Sequence, residues 1–428
     1  MEAVAAFGSL GMTIGLVLWR PRLARVRLSP ALGTVPGLAL LFATGVLRVE
    51  DAGHAARVLW RPLITLASIM ATTHVAHRLG IFDRVTRTIE IRTRGPVPHV
   101  FTAVFVISGF TAAIFNNDAA ILLLTPIIVP VIARMYPRRQ YLRVPFAFAV
   151  FVSAGVAPFC TSNPMNLVVA ERVGIGFNAY ALRMLPVALV GSFVSWAMMR
   201  VVFRKELADD VPGRGVEQGS LAPMEATPTR VLWVVVGMLL SYPVLSYFEA
   251  PVWIAALGGA VLVCLLGMRD PALTPEVVAR GVAWDVLAFL FCIFLTALGL
   301  QNVGITHALA SVYGTARGGT LSEIALVGTV SSAGSALMNN HPMAMLNALA
   351  VTALPGDPTW RTLAALVGGD LGPRLLPMGS LAGLLWMDVT RRMGVEISAR
   401  QFIRVGVTVA VPALAASLAT LWFERLLG

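Results

Sequence analysis

The sequence predicts an all-α polytopic membrane protein with about 11 transmembrane elements. Two observations lead to this fold class. Of the 428 residues, 57% are hydrophobic and 13% are charged, whereas soluble globular domains carry about 25% charged residues. Apolar segments of roughly 17 to 27 residues follow one another along the chain, and about 20 apolar residues are needed to cross the hydrocarbon core. Little sequence remains for a soluble domain.

The order of these segments predicts a leading helix followed by two repeats. Residues 1–30 contain the leading transmembrane helix and a basic loop. Five elements follow in 31–203 and five more in 231–428, and a polar linker, 204–230, separates them. Because each unit crosses the membrane an odd number of times, we expect the second repeat to be inverted relative to the first.

Each repeat contains one apolar segment that is too long for a single span, 98–134 in the first and 319–353 in the second. Each segment carries a polar cluster near its centre. The clusters are Phe115-Asn116-Asn117-Asp118 and Met338-Asn339-Asn340-His341. Each arm of about 17 residues would reach about 25 Å, and neither turn is flanked by the Arg, Trp or Tyr that mark a water interface. We therefore expect re-entrant hairpins with buried tips.

Each hairpin is followed by a long apolar segment that contains helix breakers, 144–170 in the first repeat and 361–388 in the second. The breakers are Thr161-Ser162-Asn163-Pro164 in the first, and Gly368-Gly369-Asp370-Leu371-Gly372-Pro373 and Pro377-Met378-Gly379-Ser380 in the second. Proline removes a backbone donor and glycine lowers helix propensity. Both segments are therefore predicted to be discontinuous helices, which is typical of secondary transporters.

The distribution of basic residues predicts the orientation. With the N-terminus outside, 24 of the 33 Lys and Arg residues fall in or beside loops assigned to the cytoplasm and 8 fall outside. This excess follows the positive-inside rule. We expect a multi-pass protein of the bacterial inner membrane with a periplasmic N-terminus and a cytoplasmic linker at 204–230.

Unpaired polar groups at membrane depth are costly, so the tips and breaks are candidate functional sites between the repeats. Exposed backbone groups, half-helix dipoles and side-chain amides there can bind a small polar solute. The candidate substrate-binding residues are Asn116, Asn117, Thr161, Ser162, Asn163, Asn166, Asn339, Asn340, Gly379 and Ser380. Ser, Thr and Asn at helix breaks are also ordinary helix caps, so the twofold arrangement carries more weight than any single residue.

Three titratable residues are candidates for proton coupling: Asp118, Asp370 and His341. A carboxylate at membrane depth can take up and release a proton as it is exposed to each side in turn. His341 can instead hydrogen-bond a neighbouring group. Arg374 follows Asp370 by four residues, so an unbroken helix would place them on one face as an ion pair. Because Arg374 is the only Arg well inside an apolar segment, these residues suit a neutral hydroxylated solute better than a carboxylate anion.

Other classes of site find little support in the sequence. The cysteines lack metal-ligand spacing, so no metal site or cofactor is expected, although Cys160 beside the first break is a candidate contact for a metalloid. The basic residues lie in short loops rather than in a patch with exposed aromatics, which argues against nucleic acid as a partner. We find no nucleophile and base pair, so an enzyme is not expected, and no nucleotide-binding loop.

Several motifs resemble those of the bacterial arsenite efflux permeases, the ArsB family of the ion transporter superfamily, and the resemblance covers nearly the whole chain. The motifs are Asn117-Asp118-Ala119-Ala120 with Leu124-Thr125-Pro126, Ser162-Asn163 with Asn166, Met338-Asn339-Asn340 with Pro342, Asp370-Leu371-Gly372-Pro373, and Pro377 with Gly379-Ser380-Leu381-Ala382 and Leu384-Leu385-Trp386. The resemblance implies outward transport of arsenite and antimonite, as neutral trihydroxides, in exchange for protons by alternating access.

Two alternatives remain open from the sequence. One is a sodium-coupled carboxylate carrier or a sodium/proton antiporter with the same architecture. The other is a membrane channel subunit driven by a separate, soluble arsenite-stimulated ATPase, as the resemblance also allows. Besides membrane lipid, a second copy of the chain is a further candidate partner, because the sequence does not distinguish a monomer from a homodimer.

Overall fold

The computed structural model describes residues 2–19, 22–23, 26–84, 96–208 and 225–427. Within these ranges the protein is helical except for loops and one antiparallel pair of two-residue strands, β1 (Arg22–Leu23) and β2 (Val26–Arg27). The predicted all-α class is confirmed. Most of the predicted linker, residues 209–224, and most of the basic loop at 84–95 lie outside the described residues.

The helices of the first half begin with the leading helix and include both arms of the first hairpin. They are α1 (Glu2–Trp19), α2 (Pro30–Ala43), α3 (Val49–Arg78), α4 (Val97–Ile114), α5 (Asn117–Met135), α6 (Arg143–Ser153), α7 (Pro164–Val173), α8 (Phe177–Val202) and α9 (Arg204–Leu207).

The helices of the second half follow the linker. They are α10 (Ala226–Tyr247), α11 (Trp253–Gly267), α12 (Pro275–Gly281), α13 (Trp284–Asn302), α14 (Ile305–Tyr313), α15 (Leu321–Met338), α16 (Asn340–Thr352), α17 (Thr359–Leu371), α18 (Leu381–Arg392) and α19 (Ala399–Leu427).

Seven of the described helices are long and apolar enough to cross a membrane: α4, α5, α8, α10, α13, α15 and α19. Shorter apolar helices lie at Val4–Val17, Pro30–Ala43 and Trp253–Gly267. The third helix, α3, begins at Val49 with a polar first turn, because Glu50 and Asp51 suit the positive end of the helix dipole.

The chain breaks at all four predicted places. Helices α4 and α5 are separated at residues 115–116, and α15 and α16 at Asn339. In the first broken helix, α6 ends at Ser153 and α7 begins at Pro164. In the second, α17 ends at Leu371 and α18 begins at Leu381. The order of a helical hairpin followed by a broken helix therefore occurs twice.

The second hairpin and the second broken helix pack unusually closely. A Cβ atom at Gly368 on α17 would lie 2.2 Å from the carbonyl oxygen of Gly328 on α15. At Gly372 it would lie 2.3 Å from the carbonyl oxygen of Ser332. Only glycine permits such an approach of two backbones, which is the usual way to pack helices in lipid. The backbones of the two elements are therefore in direct contact at these positions.

An aromatic core joins the first broken helix to the second. The rings of Phe151 on α6 and Trp386 on α18 are stacked with centroids 4.7 Å apart. Phe402 on α19 packs against Phe151 at 5.4 Å. Aromatic pairs at these distances contribute about 0.5–1.5 kcal/mol beyond the area they bury. The two broken helices are thereby brought side by side.

Candidate functional site

A helix begins at each of the four breaks, and a polar side chain caps each one. Asn116 Oδ1 accepts from the backbone N–H of Asp118 at 2.9 Å, and Asn163 Oδ1 accepts from that of Met165 at 3.1 Å. Asn339 and Ser380 cap α16 and α18 in the same way; they accept from the backbone N–H of His341 and of Gly383. Four of the predicted binding residues are therefore helix caps, and four helix N-termini lie within the bundle.

The side chain of Asp370 lies at the centre of a hydrogen-bonded cradle built by the first broken helix. Asn163 Nδ2 donates to Asp370 Oδ1 at 2.7 Å. Asn166 Nδ2 and the backbone N–H of Ala157 donate to Asp370 Oδ2 at 3.0 Å and 2.9 Å. The carboxylate is 7% exposed. The structure thus joins predicted residues from the two repeats at one carboxylate, and three N–H donors stabilise its ionised form.

Tyr180 on α8 completes this cradle and was not among the residues predicted from the sequence. Asn166 Nδ2 donates to Tyr180 Oη at 2.8 Å, and Tyr180 Oη donates to the carbonyl oxygen of Ala157 at 3.2 Å. The residue is fully buried. No signal in the sequence indicated it, because Tyr180 lies between Arg172 and Arg183, near the predicted membrane interface where tyrosine is common.

The first hairpin is attached to the same break. Asn117 Nδ2 donates to the carbonyl oxygen of Gly155 at 3.4 Å, and Ser162 Oγ donates to that of Ala113 at 2.6 Å. Asp118, in the first turn of α5, is the acidic residue of this tip. Among the described residues the Asp118 side chain has no hydrogen-bond partner.

Arg374 does not form the expected ion pair with Asp370. Its guanidinium donates to the carbonyl oxygen of Ala154, and Nη1 has no partner in the described part of the chain. The ion-pair interpretation is therefore wrong. Helix α17 ends at Leu371 and continues as a 3-10 turn over Gly372–Arg374, so the four-residue spacing no longer places both side chains on one face.

The tip of the second hairpin is a separate part of the site. His341 Nδ1 lies 3.0 Å from Asn339 Oδ1, and the imidazole ring packs edge-on against Phe289. Within the described ranges, no hydrogen bond joins Asn339, Asn340 or His341 to Asp118 or Asp370. Three buried atoms at this tip lack a partner: Asn339 Nδ2, Asn340 Oδ1 and His341 Nε2. Together with the unpartnered Asn116 Nδ2 of the first tip, they are available to a bound solute.

The remaining predicted residues have local roles in the structure. Thr161 and Cys160 are buried in the short 3-10 turn before Asn163. Gly379 lies in the turn before α18, where a Cβ atom would be 2.6 Å from Pro373 Cα. No group of three or more His, Cys, Asp and Glu residues that could hold a metal ion occurs in the described ranges.

A cavity of about 550 Å³ adjoins the first break. Asn117, Ser153 and Gly155 line its inner part, and apolar residues of α4 and α8, such as Phe110 and Phe193, line the rest. The polar groups at its inner end belong to the hairpin attachment described above. The candidate site is therefore next to a cavity large enough for a small solute.

Comparisons with known proteins agree over nearly the full length of the chain. The model of the family described as arsenical pump membrane protein, ArsB, matches residues 4–424. An arsenical pump membrane protein of Escherichia coli is 28% identical over 416 residues, which cover 96% of both chains. A putative arsenical pump membrane protein of Bacillus subtilis is 23% identical over 435 residues, which cover 96% of this chain and 97% of the relative.

Two solved structures share the fold. The YdaH transporter of Alcanivorax borkumensis, described as having an unusual topology, has a TM-score of 0.61 at 14% identity and covers 100% of this chain and 98% of its own. MtrF of Neisseria gonorrhoeae, from a class of antimetabolite efflux pumps, has a TM-score of 0.57 at 13% identity, with 99% and 94% covered. At these identities the likeness concerns the fold alone.

Proposed function

The chain belongs to the ArsB family of arsenical pump membrane proteins, and we propose that it exports arsenite and antimonite in exchange for protons. Transport is secondary active and proceeds by alternating access across the bacterial inner membrane. The N-terminus is periplasmic and the linker 204–230 is cytoplasmic in this proposal, as the distribution of arginines predicts. The family relationship supports the arsenical substrate, and the site supports the remaining steps as follows.

The observation that carries the proposal is the cradle around Asp370. Its donors, Asn163, Asn166 and the N–H of Ala157, come from the first break, whereas Asp370 comes from the second. A carboxylate shared between two parts of the chain has different partners whenever those parts move relative to each other. Binding and release of a proton at Asp370 can therefore be linked to a change between two arrangements of the bundle.

The polar groups at the two hairpin tips suit an uncharged trihydroxide. Arsenite near neutral pH needs hydrogen-bond donors and acceptors and no countercharge. The unpartnered atoms at the two tips, Asn116 Nδ2, Asn339 Nδ2 and Asn340 Oδ1, are amide donors and an acceptor. We propose that these residues, with Asn117, Asn163 and Asn166, exchange hydrogen bonds with the solute. Thr161, Ser162, Gly379 and Ser380 shape the breaks around it.

Asp118 and Asp370 are the proposed proton carriers. Two carboxylates that interact electrostatically take up their protons in separate steps, so the first proton would relieve repulsion between them. His341 is proposed to assist proton transfer, because its buried Nε2 has no hydrogen-bond partner among the described residues. Cys160 is a lesser candidate for contact with the metalloid.

The proposal is tested by arsenite accumulation in everted membrane vesicles, with and without an imposed proton gradient. We expect gradient-driven accumulation by the intact protein and its loss in Asp118→Asn. Glu276→Gln is the matched control, because Glu276 is an exposed carboxylate paired with Arg280 on one turn of α12. Accumulation that needs sodium, or that needs added ATP and a soluble ATPase, would contradict proton antiport and favour one of the two alternatives.

A further inference from the structure

A second cavity, lined mainly by polar and charged residues, lies away from the candidate transport site. Its volume is about 520 Å³, and we call it the arginine cavity after the residues that line it: His54, Arg57, Val58, Trp60, Arg61, Glu171, Arg172 and Thr352. It is built where three helices meet, the first half of α3 and the last turns of α7 and α16. Neither the transport mechanism proposed above nor the family relationship gives it a role.

The lining of this cavity carries an excess of positive charge. Three guanidinium groups face it, and Glu171 is the one carboxylate among its lining residues. Among the described residues Glu171 forms no ion pair within 4 Å with any of the three arginines, so Arg57 and Arg172 have no acidic partner in the lining. The C-terminal ends of α7 and α16 contribute about half a negative charge each. About one net positive charge therefore remains, and an anion in the cavity would neutralise it.

The arginines are also unusual in their location. By the predicted orientation they belong to the few basic residues on the periplasmic side, where the positive-inside rule disfavours them. Other arginines at that end have evident structural roles: Arg361 and Arg425 both pair with Glu323, at 2.5 Å and 3.2 Å. Arg57, Arg61 and Arg172 instead gather around an open cavity.

The tryptophan in the lining indicates the level of the lipid head groups, and one of the arginines is held in place by packing. Trp60 lines it and packs against Trp253, with ring centroids 5.5 Å apart, and tryptophan is enriched at membrane interfaces. The guanidinium of Arg172 is held over the ring of Phe294 at 5.3 Å, so its position is set by packing before any ligand binds. Planar guanidinium groups bind phosphate oxygens in a bidentate manner.

We propose that the arginine cavity binds a phosphate group, supplied by the head group of an anionic phospholipid. The volume exceeds that of a phosphate alone and accommodates a glycerol head group as well. Arg57 and Arg172 contact the phosphate oxygens, and Trp60 packs against the glycerol. This inference is independent of the proposed export function, since it concerns only lipid retention.

The test is native mass spectrometry of the purified full-length protein in detergent, with added phosphatidylglycerol or phosphatidylcholine of identical chains. The variant is Arg57→Gln with Arg172→Gln, and Arg57→Gln alone is the second variant because this exposed side chain is not needed for packing. Arg280→Gln is the matched control, since Arg280 is exposed elsewhere and pairs with Glu276. A parallel titration with inorganic phosphate measures thermal stabilisation.

We expect the intact protein and the control to retain one phosphatidylglycerol in preference to phosphatidylcholine. The double variant should bind it about tenfold or more weakly, and Arg57→Gln should show part of this loss. Stabilisation by inorganic phosphate without lipid retention would show that the cavity binds free phosphate and not the phosphate of a lipid head group. Equal retention of both lipids by the intact protein and the double variant, with no effect of phosphate, would overturn the proposal.

Discussion

Oδ1 of Asp370 accepts a 2.7 Å hydrogen bond from Nδ2 of Asn163, a residue 207 positions earlier in the chain. This bond joins the break in one repeat to the break in the other. Charge-assisted hydrogen bonds of this kind contribute about 1.5–3 kcal/mol. The relative position of the two broken helices therefore affects the energy of the ionised carboxylate directly.

Asp370→Asn tests the carboxylate without changing its size. An amide presents one oxygen and one nitrogen to three N–H donors, so at least one donor faces another donor. We expect transport to fall by about tenfold or more at every pH, because the side chain no longer exchanges a proton. Arsenite uptake by everted vesicles measures this loss, and size-exclusion chromatography checks the fold. Full activity in a well-folded variant would remove Asp370 from proton coupling.

Tyr180→Phe tests whether the hydrogen bond between Tyr180 and Asn166 is needed to orient the cradle around Asp370. Tyr180 Oη accepts from Asn166 Nδ2, and this contact directs the nitrogen rather than the oxygen of the amide toward Asp370. Without it the amide can rotate, and an oxygen beside the carboxylate favours the protonated form. We expect the transport rate to fall several-fold and the alkaline limb of its pH profile to move to higher pH. A lower rate with an unchanged profile would indicate a packing role alone.

Asn339 adopts a backbone conformation that side chains rarely take, with φ of +82°. Asn339→Gly should adopt this conformation without strain and lose only the cap on α16. Asn339→Ala should lose the cap and also strain the backbone. Alanine is therefore expected to be the less stable variant by about 1 kcal/mol. Thermal unfolding of the two purified variants measures the difference. Equal stability would mean that the backbone relaxes when the side chain is removed.

Gly368→Ala tests the close approach of the second hairpin to α17. The new Cβ would meet the carbonyl oxygen of Gly328 at 2.2 Å, so the helices must separate. Gly369→Ala is an internal control, since its nearest neighbour would be Ser335 Oγ at 3.9 Å. We expect a marked loss of folded protein in the first variant and near-normal yield in the second. Similar yields would show that the packing tolerates a methyl group.

Glu323→Gln tests the ion-pair network at the start of α15. Glu323 is 2% exposed and binds both Arg361 and Arg425. Both arginines are partly exposed, so removing the glutamate charge costs about 1–3 kcal/mol, and we expect a lower melting temperature. Glu276→Gln, in an exposed pair, should change stability by less than about 1 kcal/mol. The melting curves of both variants in the same detergent provide the comparison.

Some of the site was accessible from the sequence because its signals are local. Asn163 before Pro164, and Asn339 and Asn340 within an apolar run, mark helix breaks through their own backbone preferences. The ion pair predicted from the spacing of Asp370 and Arg374 was wrong, because that prediction required a continuous helix. Tyr180 was missed because nothing in its neighbourhood along the chain indicates that it meets Asn166.

The sequence by itself determined the membrane class, the helical fold and the four places where helices break. These depend on hydrophobicity and on Pro, Gly and Asn, whose effects act within a few residues. Only the tertiary structure decided that Asp370 is bound by Asn163, Asn166 and Ala157, and that Arg374 turns to Ala154. These contacts join residues some 200 positions apart, so they depend on the packing of the whole bundle. Small residues such as Gly368 determine how closely the helices in it approach each other.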